Sequence, residues 1–82
     1  MVNEFNIIIK HDNGRKDKYS FSIDPRGKFY KGWGRNKSYK PNKREITIIN
    51  KAGGFKAIRE FIKSSDTYET LTIENIKVTK LC

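Results

Sequence analysis

Side chains that can bind a polyanion are concentrated in one segment, residues 25–44. The segment contains eight Lys or Arg residues and no Asp or Glu. Its basic residues are Arg26, Lys28, Lys31, Arg35, Lys37, Lys40, Lys43 and Arg44, and its aromatic residues are Phe29, Tyr30, Trp33 and Tyr39. Lys and Arg neutralise phosphates and release counterions, while aromatic rings provide platforms on which unpaired bases stack. The segment therefore predicts a polyanionic partner, with nucleic acid as the first candidate.

The rest of the chain is close to electrically neutral. Residues 1–24 contain four basic and four acidic side chains, and residues 45–82 contain six and five. The segment thus accounts for almost all of the formal net charge of +9. Because concentrated like charge costs folding stability, its accumulation in one place favours a function that needs an anionic partner.

Two kinds of contact are expected inside the segment. Gly32 and Gly34 would let the backbone approach a sugar-phosphate chain closely. We expect base stacking from Tyr30, Trp33 and Tyr39, although Trp33 is equally well interpreted as a core residue. We expect the basic residues to contact phosphates, foremost Arg35, Lys37, Lys40, Lys43 and Arg44, with Arg26, Lys28 and Lys31 completing the interface.

A second, weaker anion site is predicted at Gly53, Gly54 and Lys56. Free backbone N–H groups at the start of a helix attract anions, and the Lys56 ammonium would lie close to them. The pattern lacks the further residues of a nucleotide-binding fingerprint. A plain strand-to-helix turn is the simpler interpretation.

No cofactor, metal or enzymatic activity is expected. Cys82 and His11 are the only Cys and His, too few for a protein-only zinc site, and the acidic residues of the first hairpin are not spaced as a metal cluster. His11 beside Asp12 is typical of an inert turn. A toxin-like ribonuclease would require His11, Tyr30 and Arg35 to converge.

The elements that position these residues begin with a hairpin. Alternating apolar residues predict strands at 2–10 and 18–24, and Asn13-Gly14 favours a tight turn between them. A turn at 24–27 and a short third strand at 28–31 follow. A basic loop covers residues 32–43.

The second half of the chain is predicted as strand, helix and strand. The β-branched run after Arg44 predicts a strand at 44–50. An apolar stripe predicts a helix at 55–64. The last strand, 71–81, changes phase near Glu74-Asn75, which favours a β-bulge over a second tight turn.

The order β-β-(β)-β-α-β predicts an α+β fold. We expect a mostly antiparallel sheet of four to five strands, with one helix packed on one face. Residues 1–82 are expected to form a single small basic domain, with a basic aromatic-rich loop at about 25–44. Its core should include Phe21, Ile48, Ile58 and Phe61.

The favoured function is non-enzymatic binding of nucleic acid, with RNA or single-stranded DNA preferred over sequence-specific duplex readout. A single predicted helix excludes a helix-turn-helix, and there is no zinc-finger pattern. The alternative is a phage or mobile-element inhibitor or adaptor whose basic face docks on an acidic protein or ribonucleoprotein, such as a host defence nuclease. No apolar run approaches the roughly 18–20 residues that span a bilayer, so we expect a cytoplasmic protein without a membrane partner.

Overall fold

The computed structural model describes residues 3–32 and 40–82. Within these residues the strands are β1 (Asn3–Lys10), β2 (Lys16–Ile23), β3 (Phe29–Lys31), β4 (Thr70–Ile73) and β5 (Ile76–Lys80), and the helices are α1 (Lys43–Lys51) and α2 (Phe55–Ser64). The strands form one sheet in the order β3-β2-β1-β5-β4, and all neighbours are antiparallel. The predicted α+β class is confirmed, with an antiparallel sheet of five strands among the described residues.

The first hairpin is confirmed and has a continuous register, from Asn3 opposite Ile23 to Lys10 opposite Lys16. Gly14 adopts a φ of 87°, which glycine reaches without steric cost, and its N–H donates to the His11 carbonyl. Asn13 does not adopt a positive φ, so the turn forms at the predicted place through Gly14 alone and not through the two positive-φ residues of a type I′ turn.

The predicted strand at 44–50 is wrong, because these residues form helix α1. Asn42 caps the helix: its side chain accepts from the Glu45 N–H, and the Glu45 carboxylate accepts from the Asn42 N–H. This reciprocal capping box satisfies two N–H groups that a helix start otherwise leaves unpaired. Ile48, Ile49 and Ala52 then lie on the buried face. Local capping and burial outweigh the strand preference of a β-branched run.

Gly53 and Gly54 connect two helices and not a strand and a helix. The Gly54 N–H donates to the Ile49 carbonyl, and the Gly53 N–H donates to the Asn50 carbonyl. These two bonds form a Schellman motif that ends α1, for which the φ of 113° at Gly53 is suited. The turn between α1 and α2 is therefore three residues long, Ala52–Gly54.

The predicted β-bulge is also wrong, and the second tight turn is correct. Glu74 and Asn75 connect β4 to β5, with Glu74 at a φ of 53°. Asn75 is fixed by Lys10 at the end of β1: its carbonyl accepts from the Lys10 N–H, and its side-chain amide donates to the Lys10 carbonyl. These two long-range bonds stabilise a turn whose own residues favour it weakly.

Both described helices pack on the same face of the sheet. Two helices, and not the expected one, join the sheet in a core that includes the predicted Phe21, Ile48 and Ile58. Phe61 is only partly buried at its margin. Neither helix has the length and apolar character needed to cross a membrane.

Candidate nucleic-acid interface

The described residues of the predicted interface are divided among the β2–β3 turn, β3 and α1. Trp33, Arg35, Lys37 and Tyr39 lie outside the described residues. Of the other predicted residues, Arg26 lies in the β2–β3 turn, Lys40 precedes α1, and the rest lie on β3 and α1 or next to them: Lys28, Tyr30, Lys31, Lys43 and Arg44. The basic stretch is therefore no continuous loop, because Lys43 and Arg44 form the first turn of a helix.

Asp24 binds the residues at the start of the segment. One carboxylate oxygen accepts from the backbone N–H groups of Arg26 and Lys28, each at 2.9 Å. The other accepts from the Tyr30 hydroxyl and the Arg26 guanidinium, each at 3.1 Å. The Lys28 N–H contributes most to lowering the pKa of Asp24 to about 2. Arg26 and the Tyr30 hydroxyl therefore have a structural role in this turn.

Lys31 connects β3 to α1. Its ammonium lies 3.4 Å from Glu45, the residue whose other carboxylate oxygen completes the capping box at Asn42. The Glu45 side chain is only 8% exposed, so the pair is partly shielded from water. The helix that carries Lys43 and Arg44 is thereby held beside the sheet.

Arg44 lies where two grooves adjoin between α1 and the sheet. The larger groove encloses about 720 Å³ and the smaller about 490 Å³. Asp17, Tyr19 and Arg44 line both grooves. We call the two grooves together the α1 cleft; its further basic residues are Arg15 and Lys51 in the larger groove and Lys18 and Lys31 in the smaller one.

His11 lies in this cleft and pairs with Asp17 instead of its sequence neighbour Asp12. The two side chains are 2.7 Å apart, and the Arg15 guanidinium lies 3.5 Å from the same carboxylate oxygen. The hydrogen bond from His11 is the main cause that lowers the pKa of Asp17, with smaller contributions from Arg15 and Arg44. One carboxylate thus orients two cleft side chains.

The structure separates His11 from Tyr30. His11 lies next to the start of β2, whereas Tyr30 pairs with Ser22 near its end. Six strand residues correspond to roughly 20 Å. The structure therefore does not bring His11 and Tyr30 together as a toxin-like ribonuclease would require.

At the predicted anion site, two backbone N–H groups already donate to other groups of the chain. The N–H groups of Gly53 and Gly54 are bound to carbonyls of α1, as described above. Lys56 is exposed in the first turn of α2. With Arg59 and Lys63 it forms a basic stripe on the exposed side of that helix, at the spacing that places residues on one face.

The presence of two helices removes the reason for excluding a helix-turn-helix, since α1 and α2 are joined by a short glycine turn. Sequence reasoning also missed the cleft residues Arg15, Tyr19 and Lys51. Their contribution depends on where α1 packs, and the only sequence signal for that helix was the Asn42-Glu45 capping pattern.

No protein-family model, curated protein or solved structure matches this chain. In residues 3–32 and 40–82, no group of three His, Cys, Asp or Glu is placed to hold a metal ion.

Proposed function

We propose that this protein is a small non-enzymatic nucleic-acid-binding protein that acts in the cytoplasm. It binds RNA or single-stranded DNA through the basic segment 26–44 and the α1 cleft, which this segment enters at Arg44. The observation that carries the proposal is the position of Arg44 at the junction of two grooves, both of which are also lined by Tyr19.

The cleft has the components that a single strand needs. Arg15, Lys31, Arg44 and Lys51 supply positive charge from the β1–β2 turn, β3 and α1, against the acids Asp17, Glu45 and Glu74. Cations along a groove follow the phosphates, and a ring in its wall stacks on a base.

Two of the cleft cations are available for phosphate. Arg44 and Lys51 have no carboxylate oxygen within 4 Å in the described part of the chain, in contrast to Arg15 and Lys31. Asp17 is occupied by His11 and Arg15, which limits its repulsion of a ligand.

The test is a titration of a labelled single-stranded RNA and DNA at several salt concentrations with the variant Arg44→Gln/Lys51→Gln. Each lost phosphate contact makes the negative slope of log K against log salt shallower by about 0.7 for a single strand. Because the variant loses two cations, its slope should be shallower by about 1.4. Arg59→Gln/Lys63→Gln removes the same charge from α2 and should leave the slope unchanged.

Two results would contradict the proposal. One is an unchanged slope in the cleft variant, and the other is heparin binding as tightly as every nucleic acid. If the wild-type protein binds no nucleic acid at physiological salt, an acidic protein or ribonucleoprotein becomes the better partner. The predicted contacts of Arg35, Lys37 and Lys40 are tested separately by reversing all three to Glu.

A further inference from the structure

A second basic surface lies on the face of the sheet opposite the helices. Side chains alternate between the two faces of a strand, so the neighbours of the buried Ile7 and Ile9 point away from the core. These outward positions carry four lysines from three strands, which we call the lysine face: Lys10, Lys16, Lys18 and Lys77.

The register brings these lysines close together. Lys10 lies directly opposite Lys16, while Lys18 and Lys77 lie on either side of Ile8. The His11 N–H donates to the Arg15 carbonyl, so the next pair, Lys10 and Lys16, occupies a non-hydrogen-bonded position. At such positions the Cα atoms are about 4.5 Å apart, and the side chains approach more closely than at hydrogen-bonded positions.

The patch has the dimensions of a few phosphates. Lys18 and Lys77 are two strand spacings apart, which is about 10 Å, and Lys16 precedes Lys18 by about 7 Å along β2. Thr72 lies beside Lys77 on β4 and is also exposed.

Acidic side chains of the described residues do not compensate the charge of Lys10, Lys16 and Lys77. In the parts of the chain that the structure describes, no carboxylate oxygen lies within 4 Å of the ammonium groups of Lys10, Lys16 or Lys77, and all three residues are exposed. On the same face, Glu4 is six residues from Lys10 along β1, about 20 Å away. Like charges directly opposite each other destabilise a sheet, so an anionic ligand would relieve this arrangement.

We propose that the lysine face binds the phosphate backbone of double-stranded nucleic acid. Among the described residues, no aromatic ring contacts Lys10, Lys16 or Lys77; the ring of Tyr30 is on β3, opposite Ser22. These three lysines cannot stack unpaired bases, which is the contact that holds single strands. A duplex presents one negative charge per about 1.7 Å of its axis, and therefore several phosphates to a patch of this size.

This inference extends the proposed function, because it adds a duplex-binding surface to a protein proposed to bind single strands. The side chain of Lys18 is on the lysine face, while its neighbours Asp17 and Tyr19 line the α1 cleft, so the two surfaces lie on opposite faces of the same strand. The α2 stripe is the competing surface for a duplex, because a helix fits the major groove.

The experiment compares three double variants that each lose two positive charges. Lys16→Gln/Lys77→Gln changes the lysine face, Arg44→Gln/Lys51→Gln changes the cleft, and Arg59→Gln/Lys63→Gln changes α2. Circular dichroism establishes that each variant is folded. Affinity for a blunt 20-base-pair duplex and for one of its strands is then measured by fluorescence anisotropy over a range of salt concentrations.

The expected result is a selective loss of duplex binding in the lysine-face variant. For the duplex, the slope of log K against log salt should become shallower by about 1.8. The affinity of this variant for the single strand should stay within about twofold of the wild-type value. The α2 variant should bind the duplex as the wild type does.

The proposal is overturned if the duplex slope is unchanged in the lysine-face variant, or if the α2 variant loses as much. Loss of single-strand binding in the cleft variant is a separate result, so the proposed function and this inference fail independently. A wild-type protein that binds neither the duplex nor the single strand would overturn both.

Discussion

The cations that pair with a carboxylate of this chain and the cations of the lysine face differ in how the fold accommodates them. Arg26, Lys31 and Arg15 lie 3.1, 3.4 and 3.5 Å from carboxylate oxygens of the same chain. Lys10, Lys16 and Lys77 have no such partner in residues 3–32 and 40–82. The first group stabilises a turn, a helix and a cleft wall, whereas the second is available to a ligand.

The comparison shows that local charge counts can mislead. Residues 1–24 are neutral as a string, yet strand alternation places Lys10, Lys16 and Lys18 on one face of the sheet and Asp17 on the other. A basic surface therefore forms from a stretch with no net charge.

The largest expected effect comes from the core that holds both surfaces. Phe21 is fully buried and its ring lies 5.6 Å from the ring of Phe5, so Phe21→Ala should lower the free energy of unfolding by about 3–5 kcal/mol. Urea denaturation measures this loss. Phe61→Ala, at a partly buried site, should cost less, and equal losses would contradict the burial described here.

The next effect concerns a paired cation. Glu45→Ala removes both the ion pair with Lys31 and half of the capping box, and it should cost about 1–2 kcal/mol in urea unfolding. Glu45→Gln keeps an oxygen that can accept from the Asn42 N–H and should cost less. Neither variant should weaken duplex binding by the lysine face, and a matching loss there would show that the two groups of cations are coupled.

Asp24, the carboxylate that pairs with Arg26, should make the stability of the protein depend on pH. Its folded pKa, about 2, is below the ordinary value of 3.8, so the stabilisation that it provides is present above about pH 4 and is lost as the pH falls towards 2. Urea midpoints measured between pH 4 and pH 2 should fall for the wild type. In Asp24→Asn this part of the fall should be absent; an identical pH profile would mean that other carboxylates are responsible.

The smallest effect on stability is expected at the unpaired group, and with the opposite sign. Lys16→Glu replaces a like-charge pair opposite Lys10 with an attractive one, so it should raise the free energy of unfolding by about 0.2–1 kcal/mol. The same substitution should weaken duplex binding. A loss of stability would show that the lysines are not in conflict with each other.

Elements with a clear local pattern could be predicted from the sequence. The β1–β2 hairpin and α2 were correct because alternation, the Asn13-Gly14 turn and an apolar helical stripe are read from adjacent residues. Helix α1 was missed because the β-branched run was given more weight than Asn42 and Glu45. The turn at Glu74-Asn75 was the less favoured alternative, because Lys10, far away in sequence, provides its hydrogen bonds.

The candidate site also has one part that could be predicted from the sequence and one part that could not. The basic segment is visible in the string of residues, and its members Trp33, Arg35, Lys37 and Tyr39 remain predictions. The α1 cleft and the lysine face are not visible there, because each collects residues from several elements.

The sequence alone determined the net charge, the concentration of basic and aromatic residues at 25–44, and the elements whose patterns are local. Only the tertiary structure decided which cations have acidic partners and which are left for a ligand. Lys16 and Lys77 are far apart in the chain, yet the pairing of β2 and β5 with β1 places both on one face of the sheet. Ion pairing and repulsion depend on distances in space, and the antiparallel pairing of β1 with β2 and β5 sets those distances.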